Sequence, residues 1–326
     1  MSKTVTGKVV LITGASRGIG AETARVLARR GATLSLVGLE PDLLRDLAAE
    51  LGPGHVWFEA DVTDQASVEA AVAGTVRALG GIDVVVANAG VANNGTVATN
   101  PADALVRTVD VNLGGVIRTV SAALPHVTER KGYVLVVASL AAFTVLPGMA
   151  AYCASKAGAE QFANALRLEV AHKGVKVGSA HPSWIDTDLV RDVEKDLRTF
   201  KEARSKLPGP LGSTTSVAAC AEAFADGIAK RKRRVYVPRS LAIFQALRTI
   251  VISPLSDIGL KLQARKMVPA LEAEVRALGR SFSTTTVAAG GDERVVAERA
   301  AAKRAAAAGD GEGDERSPVG ASSDRA

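Results

Sequence analysis

The sequence predicts one α/β domain in which helices cover both faces of a doubly wound parallel sheet. Apolar runs rich in β-branched residues alternate with amphipathic helical stretches, as in parallel strands joined by crossover helices. Ligands of such folds bind beyond the carboxyl ends of the strands, and polar or glycine-rich clusters follow most of the runs. The predicted strands span 8–13, 33–37, 55–59, 82–86, 133–138 and 175–180.

Helices are predicted where apolar residues recur at helical spacing between two strands. The helix after the second strand has Leu43, Leu44, Leu47 and Leu51 on its inner face. A first helix closes at Gly31, and the others span about 41–51, 65–79, 100–124 and 152–172.

The composition supports a large packed core. Of 326 residues, 47% are hydrophobic and 4% are aromatic, which suits helices packed on a parallel sheet. The net charge is +6, but basic and aromatic residues do not interleave along a groove, so we expect no nucleic-acid binding. Cys153 and Cys220 have no metal-ligand spacing, so we expect no metal site and a reducing, cytoplasmic setting.

Targeting segments are not expected either. The stretch 1–8 has no apolar region of the kind found in secretory signals. No apolar run reaches the ~18 residues that a membrane-spanning helix needs.

A glycine-rich turn joins the first strand to the first helix. Glycines let a phosphate approach the main chain, and the N-terminus of the helix then offers free N–H groups and a partial positive charge. The alternative is a glycine turn that binds nothing, but the strand–turn–helix order favours a nucleotide. The candidate residues are Thr13, Gly14, Ser16, Arg17, Gly18, Ile19 and Gly20.

Tyr152 and Lys156 lie one helical turn apart on a shared face. A free phenol has a pKa near ~10, and a neighbouring ammonium lowers that pKa by stabilising the phenolate. A tyrosine tuned in this way exchanges a proton with a carbonyl or alcohol oxygen near neutral pH. The spacing alone also occurs by chance on solvated helices.

Six motifs in this order resemble those of the short-chain dehydrogenase/reductase family, which has a Rossmann-like fold. The resemblance covers about 7–237. The motifs are Thr13-Gly14-x-x-x-Gly18-x-Gly20, Asp61-Val62, Asn88-Ala89-Gly90, Asn112, Ser139 and Tyr152-x-x-x-Lys156.

The resemblance implies catalytic roles for four residues. Tyr152 resembles the acid/base of the family, and Lys156 the lysine that lowers its pKa and binds the nicotinamide ribose. Ser139 resembles the hydroxyl that positions the substrate oxygen. Asn112 resembles the asparagine whose backbone holds a water molecule that links the lysine to solvent, and otherwise it merely kinks or caps the helix.

Further cofactor contacts follow from the same resemblance. Asp61 resembles the acceptor of the adenine amino group, although it could instead cap a helix. The other matching positions are Val62, Asn88, Ala89, Gly90, Pro182, Ile185 and Thr187. Ser183 departs from the family, which usually has glycine after this proline.

The resemblance favours NADP(H) over NAD(H). Gly38 stands where NAD-dependent members carry an acidic residue that binds the ribose hydroxyls and repels a 2′-phosphate. Arg17 matches one basic position of NADP-dependent members, whereas Leu39 stands at the other. Glu40 could turn toward the ribose and would then favour NAD.

Residues 184–210 correspond to the substrate lid. Leu189, Val193, Leu197 and Phe200 alternate with charges, which predicts an amphipathic helix. An apolar inner face favours a hydrophobic ketone, aldehyde or secondary alcohol. A surface helix without substrate contact is the alternative.

The domain boundaries follow from changes in composition. Residues 1–240 form the predicted catalytic domain, 241–280 a helical extension, and 281–326 a disordered tail. The cations of 230–234 and the apolar stretch that follows suggest a peripheral contact of 230–252 with the inner membrane surface. A helix packed on the domain or at an oligomer interface is slightly favoured over this contact.

The predicted activity is that of an NADP(H)-dependent carbonyl reductase or alcohol dehydrogenase in which Tyr152 is the acid/base. Family habit implies a homodimer or homotetramer. A catalytically weak nucleotide-bound regulator and an NAD-dependent alcohol dehydrogenase are the alternatives.

Overall fold

A seven-stranded parallel sheet forms the centre of the molecule. The structure, a computed structural model, describes residues 4–207, 209, 212–251 and 253–288. The strands are β1 Val9–Thr13, β2 Thr33–Gly38, β3 Val56–Glu59, β4 Val84–Ala87, β5 Tyr133–Val137, β6 Lys176–Pro182, β7 Trp184–Ile185, β8 Thr214–Thr215 and β9 Arg234–Val237. The sheet has the order β3-β2-β1-β4-β5-β6-β9, while β7 and β8 pair separately. The predicted fold class is confirmed.

Helices cover both faces of this sheet. They are α1 Gly18–Arg29, α2 Pro41–Leu51, α3 Gln65–Leu79, α4 Ala102–Val109, α5 Gly115–Glu129, α6 Ala150–Glu169, α7 Asp188–Asp196, α8 Arg198–Ser205, α9 Val217–Ala229, α10 Leu241–Ala246, α11 Arg248–Val251, α12 Pro254–Leu278 and α13 Thr284–Ala288. Successive residues of a strand point to opposite faces. In β1, Val10 and Ile12 therefore pack with α1, α2 and α9, whereas Leu11 packs with α3, α5 and α6.

The strand order reverses between β1 and β4, where the two halves of the sheet meet. The chain builds outward from β1 to β3 and then returns to add β4, β5 and β6 on the other side. The loops after β1 and β4 therefore diverge and leave a crevice at the carboxyl edge of the sheet. Both loops carry candidate cofactor residues.

The helix predicted over 100–124 is present over residues 102–129 and contains an irregular turn. It is divided into α4, a π-helical turn over Asp110–Gly114, and α5. Asn112 lies in this turn and is fully buried. Such turns insert an extra residue into a helix and often occur at functional sites.

The lid also differs from the single helix expected within 184–210. It consists of α7 and α8, which are separated at Leu197, where the backbone is extended. Leu197 is buried and clusters with Val193 and with two residues of α12, Leu271 and Val275. Residues 208, 210 and 211 lie outside the described residues.

The C-terminal region packs against this lid. Glu274 of α12 accepts hydrogen bonds from the amide and hydroxyl of Thr199, at 3.0 and 2.8 Å. The expectation of disorder from Ser281 onward does not hold for residues 281–288, which include α13 and the buried Phe282 and Ser283. Residues 289–326, also expected to be disordered, lie outside the described residues. No helix in the described parts of the chain is long and apolar enough to cross a membrane.

Candidate active site

The turn between β1 and α1 forms one wall of the crevice. Gly14 has a φ of +64°, a conformation that side chains disfavour. A Cβ at Gly20 would lie 2.1 Å from the carbonyl oxygen of Gly14, so only glycine allows α1 to start this close to the turn. No described side chain caps the N-terminus of α1 at Arg17, which leaves the first N–H groups of the helix available to an anion.

Asn88 fixes this turn to the neighbouring strand. Its Nδ2 donates to the carbonyl oxygens of Thr13 and Gly14, at 3.0 and 3.1 Å. The hydroxyl of Thr13 in turn accepts from the backbone amides of Asn88 and Ala89. Thr13 therefore lies behind the crevice and braces its wall.

A carboxylate–guanidinium cluster forms the far end of the crevice. Asp61 accepts from the amide and hydroxyl of Thr63 and, at 3.2 Å, from Arg107. Arg107 is buried, and its Nε finds no partner among the described residues. The cap of α3 is Asp64, whose carboxylate accepts from Ala66, so Asp61 does not fill the helix-cap alternative.

Tyr152 and Lys156 lie on the first turns of α6, facing the carboxyl end of β5. The Nζ of Lys156 lies 5.7 Å from the centre of the Tyr152 ring. It also donates to the carbonyl oxygen of Val137 at 3.0 Å, although the side chain is almost fully buried. Ser139, just beyond β5, has its hydroxyl close enough to the Tyr152 phenol to lower the pKa of that phenol, and both residues line the same cavity. The structure thus brings together three of the four predicted catalytic residues.

Burial changes the acidity of this pair in opposite directions. It lowers the pKa of Lys156 to about 8 because the ammonium is removed from water. It raises the pKa of the Tyr152 phenol from its usual value, and the nearby Ser139 hydroxyl offsets part of this rise. The sequence led us to expect a lowered phenol pKa, but burial raises it instead.

Asn112 supports the turn of α6 that carries Tyr152 and Lys156. Its Oδ1 accepts from the amide of Val91 at 2.8 Å, and its Nδ2 donates to the carbonyl of Val91 and to Ser155. Ser155 then donates to the carbonyl oxygen of Tyr152 at 2.7 Å. Asn112 therefore connects the loop after β4 to the catalytic turn of α6 without lining a cavity itself.

An ion pair occupies the end of β2. Arg17 donates through Nε to Glu40 at 2.9 Å, and a second contact joins its Nη2 to the other carboxylate oxygen. The carboxylate raises the pKa of the Arg17 guanidinium. A Cβ at Gly38 would lie 2.6 Å from the hydroxyl of Ser16, so a larger residue at this strand end would displace Ser16.

Two cavities meet at Tyr152. A cleft of about 1320 Å³, open to solvent, runs along the carboxyl edge of the sheet, and a cavity of about 690 Å³ lies beside it under the lid. The predicted cofactor residues that line the cleft are Gly14, Ser16, Arg17, Gly18, Ile19, Gly20, Asp61, Val62, Asn88, Ala89, Gly90, Tyr152, Lys156, Pro182 and Thr187. Ser139 lines the smaller cavity, whereas Ile185 packs in the core.

Three further cleft residues, Arg107, Thr285 and Thr286, were not identified from the sequence. Arg107 had one signal, because it is a lone cation on the apolar face formed by Ala104 and Val111. The threonines lie in a Ser–Thr run that carries no recognisable pattern.

Comparison with known proteins agrees with this geometry. Residues 8–198 match the profile of the family described as short chain dehydrogenase. The chain belongs to the short-chain dehydrogenase/reductase family. A crystal structure of a short-chain type dehydrogenase/reductase from Mycobacterium marinum superposes with a TM-score of 0.65 at 26% identity. The match covers 72% of this chain and 95% of that one.

Curated relatives of this short-chain dehydrogenase/reductase are oxidoreductases by name. An uncharacterized oxidoreductase of Myxococcus xanthus is 34% identical over 254 residues, which cover 77% of this chain and 95% of that protein. Glycine betaine reductase ATRR of Emericella nidulans is 38% identical over 213 residues, but these are 64% of this chain and only 16% of that protein. The protein is therefore an NAD(P)-dependent dehydrogenase/reductase by family.

The residues present fit a nicotinamide dinucleotide. The uncapped start of α1 suits a pyrophosphate, and the glycines of the turn leave room for it. Lys156 is buried beside Gly90 and uses one of its three donors on Val137, so donors remain for a ribose hydroxyl.

The segment 280–288, here named the C-terminal strap, forms the outer wall of the cleft. Arg280 pairs with Asp196 of the lid at 2.7 Å, and Asp192 accepts from the amide of Thr285 at 3.0 Å. Thr285 and Thr286 line the cleft itself. The strap therefore joins the lid to the cofactor site.

Removing the strap should weaken cofactor binding. We expect a chain that ends at Gly279 to bind NADPH about tenfold more weakly, because one wall of the cleft and its anchors on the lid are lost. Fluorescence titration measures the Kd, and a chain that ends at Ala288 is the control. Asp192→Asn, which keeps the chain length, should show a smaller effect in the same direction. Equal affinity of both truncated chains would refute a role for the strap.

Proposed function

We propose that this protein is an NADP(H)-dependent carbonyl reductase or alcohol dehydrogenase with Tyr152 as its acid/base. The observation that carries the proposal is the position of Tyr152 at the junction of the two cavities. The larger cleft suits the dinucleotide, and the smaller cavity suits a hydrophobic ketone, aldehyde or secondary alcohol. When bound, the nicotinamide supplies or accepts the hydride.

The side chains of the protein move one proton and orient the substrate. In the reducing direction the Tyr152 phenol donates its proton to the carbonyl oxygen, which becomes the alcohol. Ser139, which lines the same cavity as the phenol, positions that oxygen. The ammonium of Lys156 stabilises the resulting phenolate, and Asn112 holds the catalytic turn through Ser155.

A catalytically weak nucleotide-bound regulator is the alternative. A regulator would need the cofactor cleft, but it would not need a second, substrate-sized cavity beside an acid such as Tyr152. Ser139 and Tyr152 both line that second cavity, an arrangement that favours the enzyme.

Replacing the acid should separate chemistry from binding. We expect Tyr152→Phe to lower kcat by at least about 100-fold, because general acid catalysis contributes roughly that much, while the Kd for NADPH stays near the wild-type value. Tyr133→Phe is the matched control. It removes a buried phenol that donates to the Lys232 carbonyl at 2.7 Å, far from the cleft. Near-normal turnover in Tyr152→Phe would refute the proposal.

The lowered pKa of Lys156 predicts a pH limit on carbonyl reduction. Below about 8 the ammonium is present and stabilises the Tyr152 phenolate; as the pH rises through about 8 this charge is lost. We therefore expect kcat for reduction to fall above about pH 8. In Lys156→Arg the charge persists, so any remaining activity should lack this decline. A wild-type kcat that stays level into strongly alkaline buffer would contradict the role of Lys156.

NADP(H) is the proposed cofactor. Gly38 offers no carboxylate to the ribose. An acidic side chain at this position is disfavoured, because its Cβ would lie 2.6 Å from the hydroxyl of Ser16. Arg17 is the cation available to a 2′-phosphate. Because Glu40 already pairs with Arg17, a bound phosphate must compete with this carboxylate, and the preference for NADP(H) should be modest.

Neutralising Glu40 should strengthen the preference for NADP(H). The Arg17–Glu40 pair is only partly buried, and ion pairs near the surface are worth up to about 1 kcal/mol, so we expect Glu40→Gln to raise the ratio of kcat/KM for NADPH over NADH by up to about fivefold. Glu22→Gln, which removes a partner of Arg25 outside the cleft, should leave the ratio unchanged. A wild-type enzyme that strongly prefers NADH would overturn the assignment.

The exposed face of α10–α12 is proposed as a homodimer or homotetramer contact. Ile243, Ile250 and Ile258 are about 60% exposed there, at 62%, 59% and 64%, and exposed apolar patches mark interaction surfaces. Sedimentation velocity would detect the assembly. A monomer that co-sediments with anionic vesicles would instead support peripheral contact of 230–252 with the inner surface of the cytoplasmic membrane.

A further inference from the structure

The smaller cavity is apolar and carries no charge on the described residues that line it. Its walls are mostly aliphatic and aromatic. The larger side chains are Leu140, Leu146, Trp184, Leu189, Val190 and Phe200. A charged group in such a cavity would lose its water without gaining a partner, so the cavity suits an uncharged molecule.

Three polar side chains interrupt these apolar walls away from the Tyr152–Ser139 pair. Asn93, Asn94 and Ser183 all line the cavity. The Oδ1 of Asn93, the Nδ2 of Asn94 and the hydroxyl of Ser183 are buried, and none has a hydrogen-bond partner in the described chain. Buried polar groups are normally paired, which makes these atoms candidates for ligand contacts.

The two asparagines are held in place by their main chains. The Asn94 amide donates to the carbonyl of Ser281 at 2.7 Å, and its carbonyl accepts from Asn100 at 2.9 Å. Asn93 forms an antiparallel bridge with Phe282. Both asparagines are only 2% exposed, so their side chains have little freedom to reach other partners. A site fixed in this way loses little entropy when a ligand binds.

We propose that the substrate is an uncharged hydroxy-carbonyl compound whose hydroxyl group is recognised by Asn93 and Asn94. This inference rests on the proposed function, since the reacting carbonyl is placed at Tyr152 and Ser139. A hydroxyl both donates and accepts hydrogen bonds. It therefore complements the free acceptor of Asn93 and the free donor of Asn94.

Asn94 is then a specificity residue. An apolar wall discriminates weakly between molecules that differ by one methylene, whereas a buried polar group rejects an analogue that leaves it unpaired. The loss is greatest when both partners are shielded from water, as the burial of Asn94 ensures.

Matched ketones test this specificity. The substrates are 2-decanone, a set of isomeric hydroxydecan-2-ones that carry one hydroxyl at different positions along the chain, and 9-oxodecanoic acid, which adds a charge. We expect at least one hydroxy isomer to exceed 2-decanone by about tenfold or more in kcat/KM, and the acid to be the poorest substrate. Asn94→Leu keeps the number and branching of the side-chain heavy atoms but removes the hydrogen-bonding groups, so it should abolish the advantage of the hydroxyl, measured as the ratio of kcat/KM for the hydroxy ketone to that for 2-decanone.

A matched control separates recognition from damage to the loop. Asn100 supports the same loop but does not line the cavity. Asn100→Ala should lower kcat/KM for all ketones by a similar factor and so keep their ratios, whereas Asn94→Leu should lower the ratio of the hydroxy ketone to 2-decanone. Equal use of 2-decanone and every hydroxy isomer by the wild type, or equal losses in Asn94→Leu, would overturn the inference.

Binding measurements keep this test independent of turnover. Calorimetry with Tyr152→Phe in the presence of NADP⁺ measures affinity for the ketones without reaction. Tighter binding of a hydroxy isomer, lost in Asn94→Leu, supports the recognition site even if the proposed reaction fails. Equal affinities refute it. Failure of the wild type to reduce any ketone counts against the proposed function alone.

Discussion

The hydrogen bond from Lys156 to the carbonyl of Val137 links the catalytic helix to the central sheet. It buries an ammonium at the carboxyl end of β5 without a carboxylate beside it. Such a charge is costly to bury, which is why the pKa of Lys156 falls to about 8. The position of Tyr152 depends on this contact, because both residues lie on the same face of α6.

Two asparagines hold the loops around that contact in place. Asn112 joins the loop after β4 to the catalytic turn, and Asn88 joins β4 to the glycine turn after β1. Each of these asparagines satisfies backbone groups that the loops would otherwise leave unpaired inside the protein. The π-helical turn brings the Asn112 side chain inward. This local irregularity of the helix therefore helps to position residues of the site that lie on other elements.

The parts of the site that could be predicted are those whose signal is local. The glycine turn and the Asn88 loop each follow a strand directly, and Tyr152 and Lys156 lie one helical turn apart, so sequence pattern and topology locate them together. The strap could not be found in this way, because its anchors lie 84 and 93 residues away along the chain and its own sequence is a Ser–Thr run. The role of Arg107 was missed for the same reason, because its carboxylate partner, Asp61, is 46 residues away along the chain. The acidity of Tyr152 depended on burial, which the spacing of two residues does not encode.

The strap also sets an order of events during synthesis. The central sheet is complete once β9 has emerged, but the outer wall of the cofactor cleft is made by residues 280–288, which leave the ribosome later. A chain interrupted between these points contains every strand found in the described residues and every predicted catalytic residue, yet it lacks a wall of its cleft. The cleft that would hold the cofactor is therefore complete only after translation has continued well past β9 and through residues 280–288.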